Sequence, residues 1–432
     1  MLKEIGIFIC NYNKAEFVVK CVEKILQQTY RDTDIFVVDN ASTDGSAELL
    51  NKEYGDKITI VQNKENLGGS GGFGRGIRIA LEKGYKYFML VDNDAFLDAS
   101  AVEYLHSYME KHGDVGICGS KTLYLQDPSK IQDFGGRIDY QKYQWGGIIG
   151  GSAELEGNAV LECDYVASCS VIARTEAVRK FGGFPEDNFI YWDDIEWCTK
   201  CWKAGYKVVV NGNAKVLHDM SGANVQNMFL RYYANRNRYR FFTKYLPEEK
   251  LEDFYHVITE EFFFQNYGAM NKGKYGTAFT AWNALDDFMH NRMGKAAEGR
   301  IVPYTVGRDR LAERIKDVKS ILIYMPTHMS RDYNRLNKLL RYIMGHNKDA
   351  NVSVVFSIND NLLSSYGLVL ELCEHVTKVR GNVLPRVYVD AWGNAILDEQ
   401  DFWYFSSYEI ALKNFQEMYR PLFEKRVKEL RT

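Results

Sequence analysis

Apolar and polar positions over residues 1–125 switch between two periods. Ile5–Cys10 is a short continuous apolar run and predicts a strand. Phe17, Val18, Cys21, Val22, Ile25 and Leu26 then recur on one helical stripe within 15–28. Asp34–Asp39 (DIFVVD), Ile58–Asn63 and Tyr87–Asp92 predict three further strands. Ser42, Thr43 and Asp44 offer N-caps for a helix running to Tyr54, and Gly74–Lys83 predicts another helix. Short strands separated by helices make a parallel sheet covered on both faces. Ligands gather at the carboxyl ends of such strands. Asn11, Asp39, Asn66 and Asp92 fall at four of these ends, which is the first functional signal.

Residues 115–175 change character, with strand-like runs and the glycine pairs Gly135–Gly136, Gly146–Gly147 and Gly150–Gly151. A loop then leads into a helix at YWDDIEW, and 207–218 predicts a last strand. Residues 226–295 are mainly helical in pattern and rich in aromatics. Near 318 the strand–helix alternation restarts: SILIYM, a helix over 335–344, NVSVVFSI, another helix, a hairpin in RVYVDAWGNAILD and a terminal helix. The expected division is 1–225, a helical extension over 226–310, and a smaller α/β domain over 317–432.

Composition narrows the classes. A chain of 432 residues with 46% hydrophobic and 26% charged residues is globular, not disordered. Its 54 basic and 57 acidic residues leave a net charge of -3, so no global basic field for nucleic acid is expected. No apolar run approaches the ~20 residues of a spanning helix. The opening MLKEIGIFIC lacks a signal-peptide stretch, so the expected location is cytoplasmic, with peripheral contact at the inner face of the cell membrane. The eight cysteines show no framework and read as reduced thiols. Cys198 and Cys201 have C-x-x-C spacing, but no second ligand pair follows, so they read as two small residues on a helix.

VDND at 91–94 is the strongest local feature. Carboxylates at i and i+2 on a strand-end turn can face one hard cation, Mg²⁺ or Mn²⁺, which also takes phosphate oxygens. The plainer reading is a capped turn. NLGGSGGFGRG at 66–76 carries six glycines within nine residues, which permits close backbone approach to a ligand. Gly69–Gly74 also matches the G-x-G-x-x-G of dinucleotide enzymes. Against that reading, five residues separate Gly69 from the strand where a tight turn is needed, and Asp92 belongs to a D-x-D. YWDDIEW places Asp193, Asp194 and Glu196 in a first helical turn beside Trp192 and Trp197, where rings can stack on a sugar and a carboxylate can deprotonate a hydroxyl. His218 ends an apolar strand and, as a neutral imidazole, can complete the site of Asp92 and Asp94.

Taken in order, these motifs resemble glycosyltransferase family 2, inverting enzymes of the GT-A fold, most closely the bacterial rhamnosyl- and galactofuranosyltransferases. N-Y-N at 11–13 resembles the family's T-Y-N-R, with Cys10 for Thr and Lys14 for Arg. VVDNASTDGS, NLGGSGGFGRG, V-D-N-D and W-D-D-I-E each resemble a family motif, and His218 stands 24 residues after Asp194, as the family's histidine does. The resemblance covers 1–225 well and 226–295 loosely. It implies a GT-A type nucleotide-sugar-binding mixed sheet with helices on both faces. It also implies that Asn11, Asp39, Asn66, Gly68, Gly69, Arg75, Asp92 and Asn93 bind the donor nucleotide, with Asp92, Asp94 and His218 holding Mn²⁺ or Mg²⁺. Asp194 would be the base, and Trp192, Asp193 and Glu196 would orient the acceptor.

The implied reaction moves rhamnose or galactofuranose from a dTDP- or UDP-sugar to a hydroxyl of a lipid-linked, cell-surface glycan. A homo-oligomer or a partner glycosyltransferase is a further expected partner, and nucleic acid is not. RYYANRNRYRFFTKY at 231–245 reads either as a helix with aromatics inward and Arg outward, or as a surface for an anionic lipid carrier or membrane. Two other classes compete. A nucleotidyltransferase shares the two-carboxylate metal site but usually carries a Gly-rich basic loop on its first strand, where this chain has N-Y-N-K. A non-catalytic carbohydrate-binding protein has no need of D-x-D, base and histidine together.

Overall fold

The computed structural model describes residues 2–147, 157–219, 226–380 and 386–431. The pair Gly150–Gly151 lies outside the described residues. The chain forms two compact units. The first comprises Met1–Leu251, Ala284–Arg300 and Leu430–Thr432, and the second comprises Glu252–Asn283 and Ile301–Glu429. Residues 226–310 are thus shared between them.

The first unit is built on β1 (Ile5–Asn11), β2 (Thr33–Asp39), β3 (Thr59–Gln62), β4 (Tyr87–Asp92), β5 (Ala95–Leu97), β6 (Val115–Tyr124), β7 (Ile131–Asp133), β8 (Gly136–Asp139), β9 (Gln144–Gly147), β10 (Val160–Glu162), β11 (Ser170–Arg174) and β12 (Lys207–His218). Its helices are α1 (Ala15–Leu26), α2 (Ser46–Tyr54), α3 (Gly68–Lys83), α4 (Ala101–Lys111), α5 (Thr175–Phe181), α6 (Asp193–Lys203) and α7 (Met228–Tyr245). The main sheet runs β10-β12-β6-β11-β4-β1-β2-β3, with β5 on β12 and β7 on β6. β3, β2, β1 and β4 are parallel, and β11 runs antiparallel between β4 and β6, so the sheet is mixed.

Alternation along β1 divides its side chains between two faces. Ile5, Ile7 and Ile9 share a core with Val18, Cys21, Val22 and Ile25 of α1 and Val102, Leu105 and Met109 of α4. Phe8 points the other way, stacks on Phe36 with ring centroids 4.8 Å apart, and meets α3 at Gly76. Both faces are therefore covered. The chain leaves β1 toward β2 and β3 on one side and later enters β4 on the other, so a topological switch point lies between β1 and β4.

The glycine run departs from expectation. The helix begins at Gly68, not Gly74, and takes in the whole run. Gly72 and Gly76 serve helix–sheet approach: a Cβ on Gly72 would sit 2.3 Å from Cys10 Sγ and 2.8 Å from Asn40 Nδ2, and one on Gly76 would sit 3.0 Å from Phe8. Gly69 alone among the first glycines of α3 faces open space. The dinucleotide reading fails on this geometry, because the matched glycines lie inside a helix and not in a strand–helix turn.

The second unit carries a parallel sheet, β13 (Ser320–Tyr324), β14 (Asn351–Val355), β15 (Leu368–Leu372) and β16 (Val387–Val389), closed by the antiparallel β17 (Ala395–Ile396), in the order β14-β13-β15-β16-β17. The helices after α7 are α8 (Leu251–Asn271), α9 (Tyr275–Met289), α10 (Arg310–Ile315), α11 (Tyr333–His346), α12 (Asp360–Ser365), α13 (Glu399–Ser406) and α14 (Tyr408–Arg431). Ile321, Ile323, Leu336, Leu339, Ile343 and Leu370 form its core. Strand β15 had no counterpart in the sequence reading, since a short apolar run such as LVLEL does not by itself separate strand from helix. The abundant aromatics find use here: Phe262 and Phe263 lie 5.5 and 5.2 Å from Phe415.

The fit of α3 on β1 predicts that Gly72→Ala destabilises the protein by about 1–3 kcal/mol through overpacking. Gly69→Ala, in open space within a helix, should be neutral or stabilising by about 0.5–1 kcal/mol. Chemical denaturation of the two variants beside wild type checks both signs.

Candidate active site

Register explains why distant residues meet. Asn11 pairs with Asp39 across β1 and β2, and Cys10 pairs with Asp92 across β1 and β4, so the polar residues end level at the switch point. Asn11, fully buried, ties them together. Its Nδ2 donates to Asp39 Oδ1 at 3.0 Å and to Ser42 Oγ at 3.2 Å, and its Oδ1 accepts from Asn93 Nδ2 at 2.8 Å. Asp39 Oδ2 accepts from the Ser42 amide. Asn66 lies four residues beyond β3 and caps the glycine helix by accepting from the Gly68 amide at 2.8 Å. Arg75 is exposed on α3 and makes no ion pair among the described residues.

The short strand β5 runs antiparallel to β12 and sets His218 opposite Ala95, next to Asp94. His218 Nε2 is 3.3 Å from Asp94 Oδ1 and 3.7 Å from Asp92 Oδ2. One ligand atom from each of the three lies within 4.8 Å of the others. Burial, with Asp94 beside it, pushes the Asp92 carboxyl up to about 6. Burial would also raise Asp94, but His218 and Lys14 outweigh it and hold that carboxyl below its usual range. Lys14, where the resemblance led us to expect arginine, places its ammonium on Asp94.

Two carboxylates and an imidazole suit Mn²⁺ or Mg²⁺, and one orphaned atom fits that use. Gln132 Nε2 lies 2.9 Å from His218 Nδ1, while the buried Gln132 Oε1 has no hydrogen-bond partner among the described residues. Turning this amide by half a turn lets Oε1 accept from Nδ1–H and leaves Nε2 bare toward the carboxylates. Gln132 and the neighbouring buried Asp133 on β7 carried no motif that could have singled them out.

The acids of α6 separate into different roles. Asp193 is buried and accepts from Ser70 Oγ of α3 at 2.6 Å. Asp194 is half-buried, and burial together with Asp193 raises its carboxyl well above the ordinary range. Glu196, 1% exposed, is not open to a ligand: it meets Arg240 at 2.8 Å, Lys244 at 2.7 Å and Tyr245 Oη at 3.1 Å. Trp192 is likewise buried, with its ring against Phe241 and Phe242, and offers no free face to a sugar. Cys198 and Cys201 are buried free thiols, and no metal-competent cluster among the described residues includes them.

The turn before α6 is strained. Phe189, Tyr191 and Trp192 have φ of 68°, 65° and 63°, uncommon for bulky side chains. Asn237 Nδ2 of α7 donates to the carbonyls of Asn188, Ile190 and Tyr191, and Arg236 donates to Asn188 and Gly294. The outward-Arg reading of α7 is thereby corrected: Arg236 and Arg240 are buried, because they serve as donors to this turn and to Glu196. Those two cations are not available to a membrane.

The first unit is thus a GT-A-type mixed sheet with two carboxylates and an imidazole at its switch point. Residues 6–148 match the model of Glycosyl transferase family 2. Over 119 residues the chain is 34% identical to the glycosyltransferase GlyG of Streptococcus pneumoniae, covering 27% of this chain and 39% of that one. Over 184 residues it is 27% identical to a teichoic acid poly(glycerol phosphate) polymerase of Staphylococcus epidermidis, covering 41% and 23%. Among solved structures, GalNAc-T7 with UDP, GalNAc and Mn²⁺ aligns at a TM-score of 0.45 and 12% identity, over 67% of this chain and 54% of that one. The chain spans less than half the length of the curated relatives it matches. Among the described residues no helix is long and apolar enough to cross a membrane.

The buried Glu196 carboxylate links the stability of the first unit to pH. Burial would raise its carboxyl, but Arg240 and Lys244 outweigh burial and hold it low. Glu196→Ala leaves Lys244 without a carboxylate and Arg240 with Asp187 alone, and should cost about 3–5 kcal/mol. A depressed folded value contributes stability above the unfolded value of about 4.3 and loses it as pH falls. Unfolding curves of wild type and variant should therefore stand apart at pH 7 and converge below about pH 4.

Proposed function

We propose that this protein is a metal-dependent inverting glycosyltransferase that moves a sugar from a nucleotide-diphosphate donor to a hydroxyl of a glycan acceptor. The observation that carries the reading is the Asp92–Asp94–His218 cluster at the switch point, with the half-buried Asp194 close enough for the Asp92 charge to act on its carboxyl. Residues 1–225 form the catalytic domain in this reading, 226–310 the helical extension, and 317–432 a domain with a separate task. The family resemblance supports rhamnose or galactofuranose as the sugar, carried on dTDP or UDP. The relatives' names, teichoic acid polymerase among them, support a bacterial cell-surface glycan as acceptor, with a lipid-linked form expected.

The residues divide the work as follows. Asn11, Asp39 and Asn93 form one hydrogen-bonded floor for the nucleotide, with Asn66 at its edge and the backbone at Gly68 and Gly69 approaching the diphosphate. Asp92, Asp94 and His218 would hold a divalent cation, whose positive charge would stabilise the departing diphosphate. Asp194 takes the acceptor's proton as the hydroxyl attacks the anomeric carbon. Burial and the neighbouring Asp193 raise its carboxyl, which makes it a stronger proton acceptor than a solvated aspartate. Asp193, held by Ser70, fixes the first turn of α6 so that Asp194 stays in place.

Two measurements test this. Asp194→Asn should lower kcat by about 10²–10⁴-fold while donor binding survives. A silent Asp194→Asn with an inactive Asp193→Asn would transfer the role to the other acid. Asp94→Ala, and chelation of wild type with excess EDTA, should each abolish transfer without changing the melting temperature. Full activity in EDTA would remove the metal from the account.

A further inference from the structure

The second unit holds a cavity of about 370 Å³, within the range of small-molecule sites. One wall is the carboxyl ends of β15 and β16, at Leu372 and Val389, the position where open parallel sheets take ligands. A second is a single face of α11, since Arg335, Lys338, Leu339 and Tyr342 follow helical spacing. Residues 304–311 and the segment around Lys272 close the rest.

The charge of this cavity is unbalanced. Lys272, Lys274, Arg308, Arg310, Arg335 and Lys338 line it, against the acids Asp309 and Asp390. Both acids are engaged elsewhere. Asp309 caps α10 through the Ala312 amide at 3.0 Å and accepts from Tyr342 Oη at 2.5 Å. Asp390, buried, accepts from the amides of Trp392 and Asn394 and from Asn394 Nδ2. Arg308 pairs with Glu313, Arg310 with Asp398 and Asp401, and Arg335 with Asp332. Lys272, Lys274 and Lys338 make no ion pair among the described residues, and two of them reach only carbonyl oxygens, those of Trp392 and Ala391.

Burial first, then repulsion from Lys274 and Lys338, pushes the Lys272 ammonium below its usual range although Asp390 and Asp309 oppose the shift. Three ammonium groups gathered with no carboxylate in ion-pair contact are stable in company with an anion. Leu311, Leu339, Leu372, Val389 and Leu397 add an apolar floor that a bare inorganic ion would leave unused.

We propose that the second unit is a binding domain for an organic phosphate, a phosphoryl or diphosphoryl group on a compact carbon body, with Lys272, Lys274 and Lys338 on the anion and α11 and the strand ends on the body. The inference stands independently of the reaction assigned to the first unit. Ribose 5-phosphate and geranyl diphosphate separate the two sources of such a group, a sugar or nucleotide and a lipid headgroup.

The test is calorimetric titration of the full chain with each compound and with inorganic pyrophosphate, in EDTA. At least one organic probe should bind saturably at one site, more tightly than pyrophosphate, and weaken as salt rises. Lys274→Gln with Lys338→Gln should bind it at least about tenfold more weakly, the loss of one charge-assisted contact or more. Lys274→Arg should retain binding, and melting temperatures should match wild type. Absence of saturable binding for every probe up to about 10 mM, or equal affinity in the double variant, would overturn the proposal.

Discussion

Asp92 and Asp94 stand two residues apart at one strand end, and like charges so close repel strongly once water is removed. Asp193 and Asp194 bring two more carboxylates to the same region, and the resulting concentration of negative charge is the constraint that the first unit is built to bear. His218 and Lys14 stand against Asp94, and Ser70 satisfies Asp193. The raised carboxyls of Asp92, Asp193 and Asp194, with burial the largest cause of each, record what is left uncompensated. A site that holds this much unsatisfied acid is suited to a cation that arrives with its ligand, and Lys14 occupies the place such a cation would share.

Geometry at the acids depends on structure behind them. The strained turn over 189–192 sets the start of α6, and α7 holds that turn from below with Asn237 and Arg236. Glu196 fastens the next turn of α6 to Arg240 and Lys244. Buried ion pairs of this kind add little net stability, but they fix position, since either partner alone is costly. On the opposite side the glycines of α3 allow that helix to sit directly on β1 and deliver Ser70 to Asp193.

The sequence made the strand ends legible because a parallel sheet is written in short apolar runs that stop at polar residues. Asn11, Asp39 and Asp92 were readable for that reason, and D-x-D with a histidine at the matching distance identified the cation cluster. What it concealed was pairing across space. Gln132 behind His218 and Asn237 behind the turn sit in segments without motifs. Glu196 and Trp192 carried motif spacing that suggested contact with an acceptor, yet burial against α7 takes them both. The arginines of 231–245 were expected outside because charge usually is, yet Arg236 and Arg240 lie inside because acids and bare carbonyls await them there. The cavity of the second unit was hidden altogether, since its basic residues come from three separate stretches of chain, 272–274, 308–310 and 335–338.

The central claim is that Asp92, Asp94 and His218 are one cation site. Crystals of the protein with Mn²⁺ and UDP, measured at the manganese absorption edge, address it directly. The account predicts one anomalous peak within about 2–2.3 Å of a carboxylate oxygen and of His218 Nε2, with the Lys14 ammonium moved off Asp94. A manganese peak elsewhere, with Lys14 and His218 still on the Asp94 carboxylate, would contradict it.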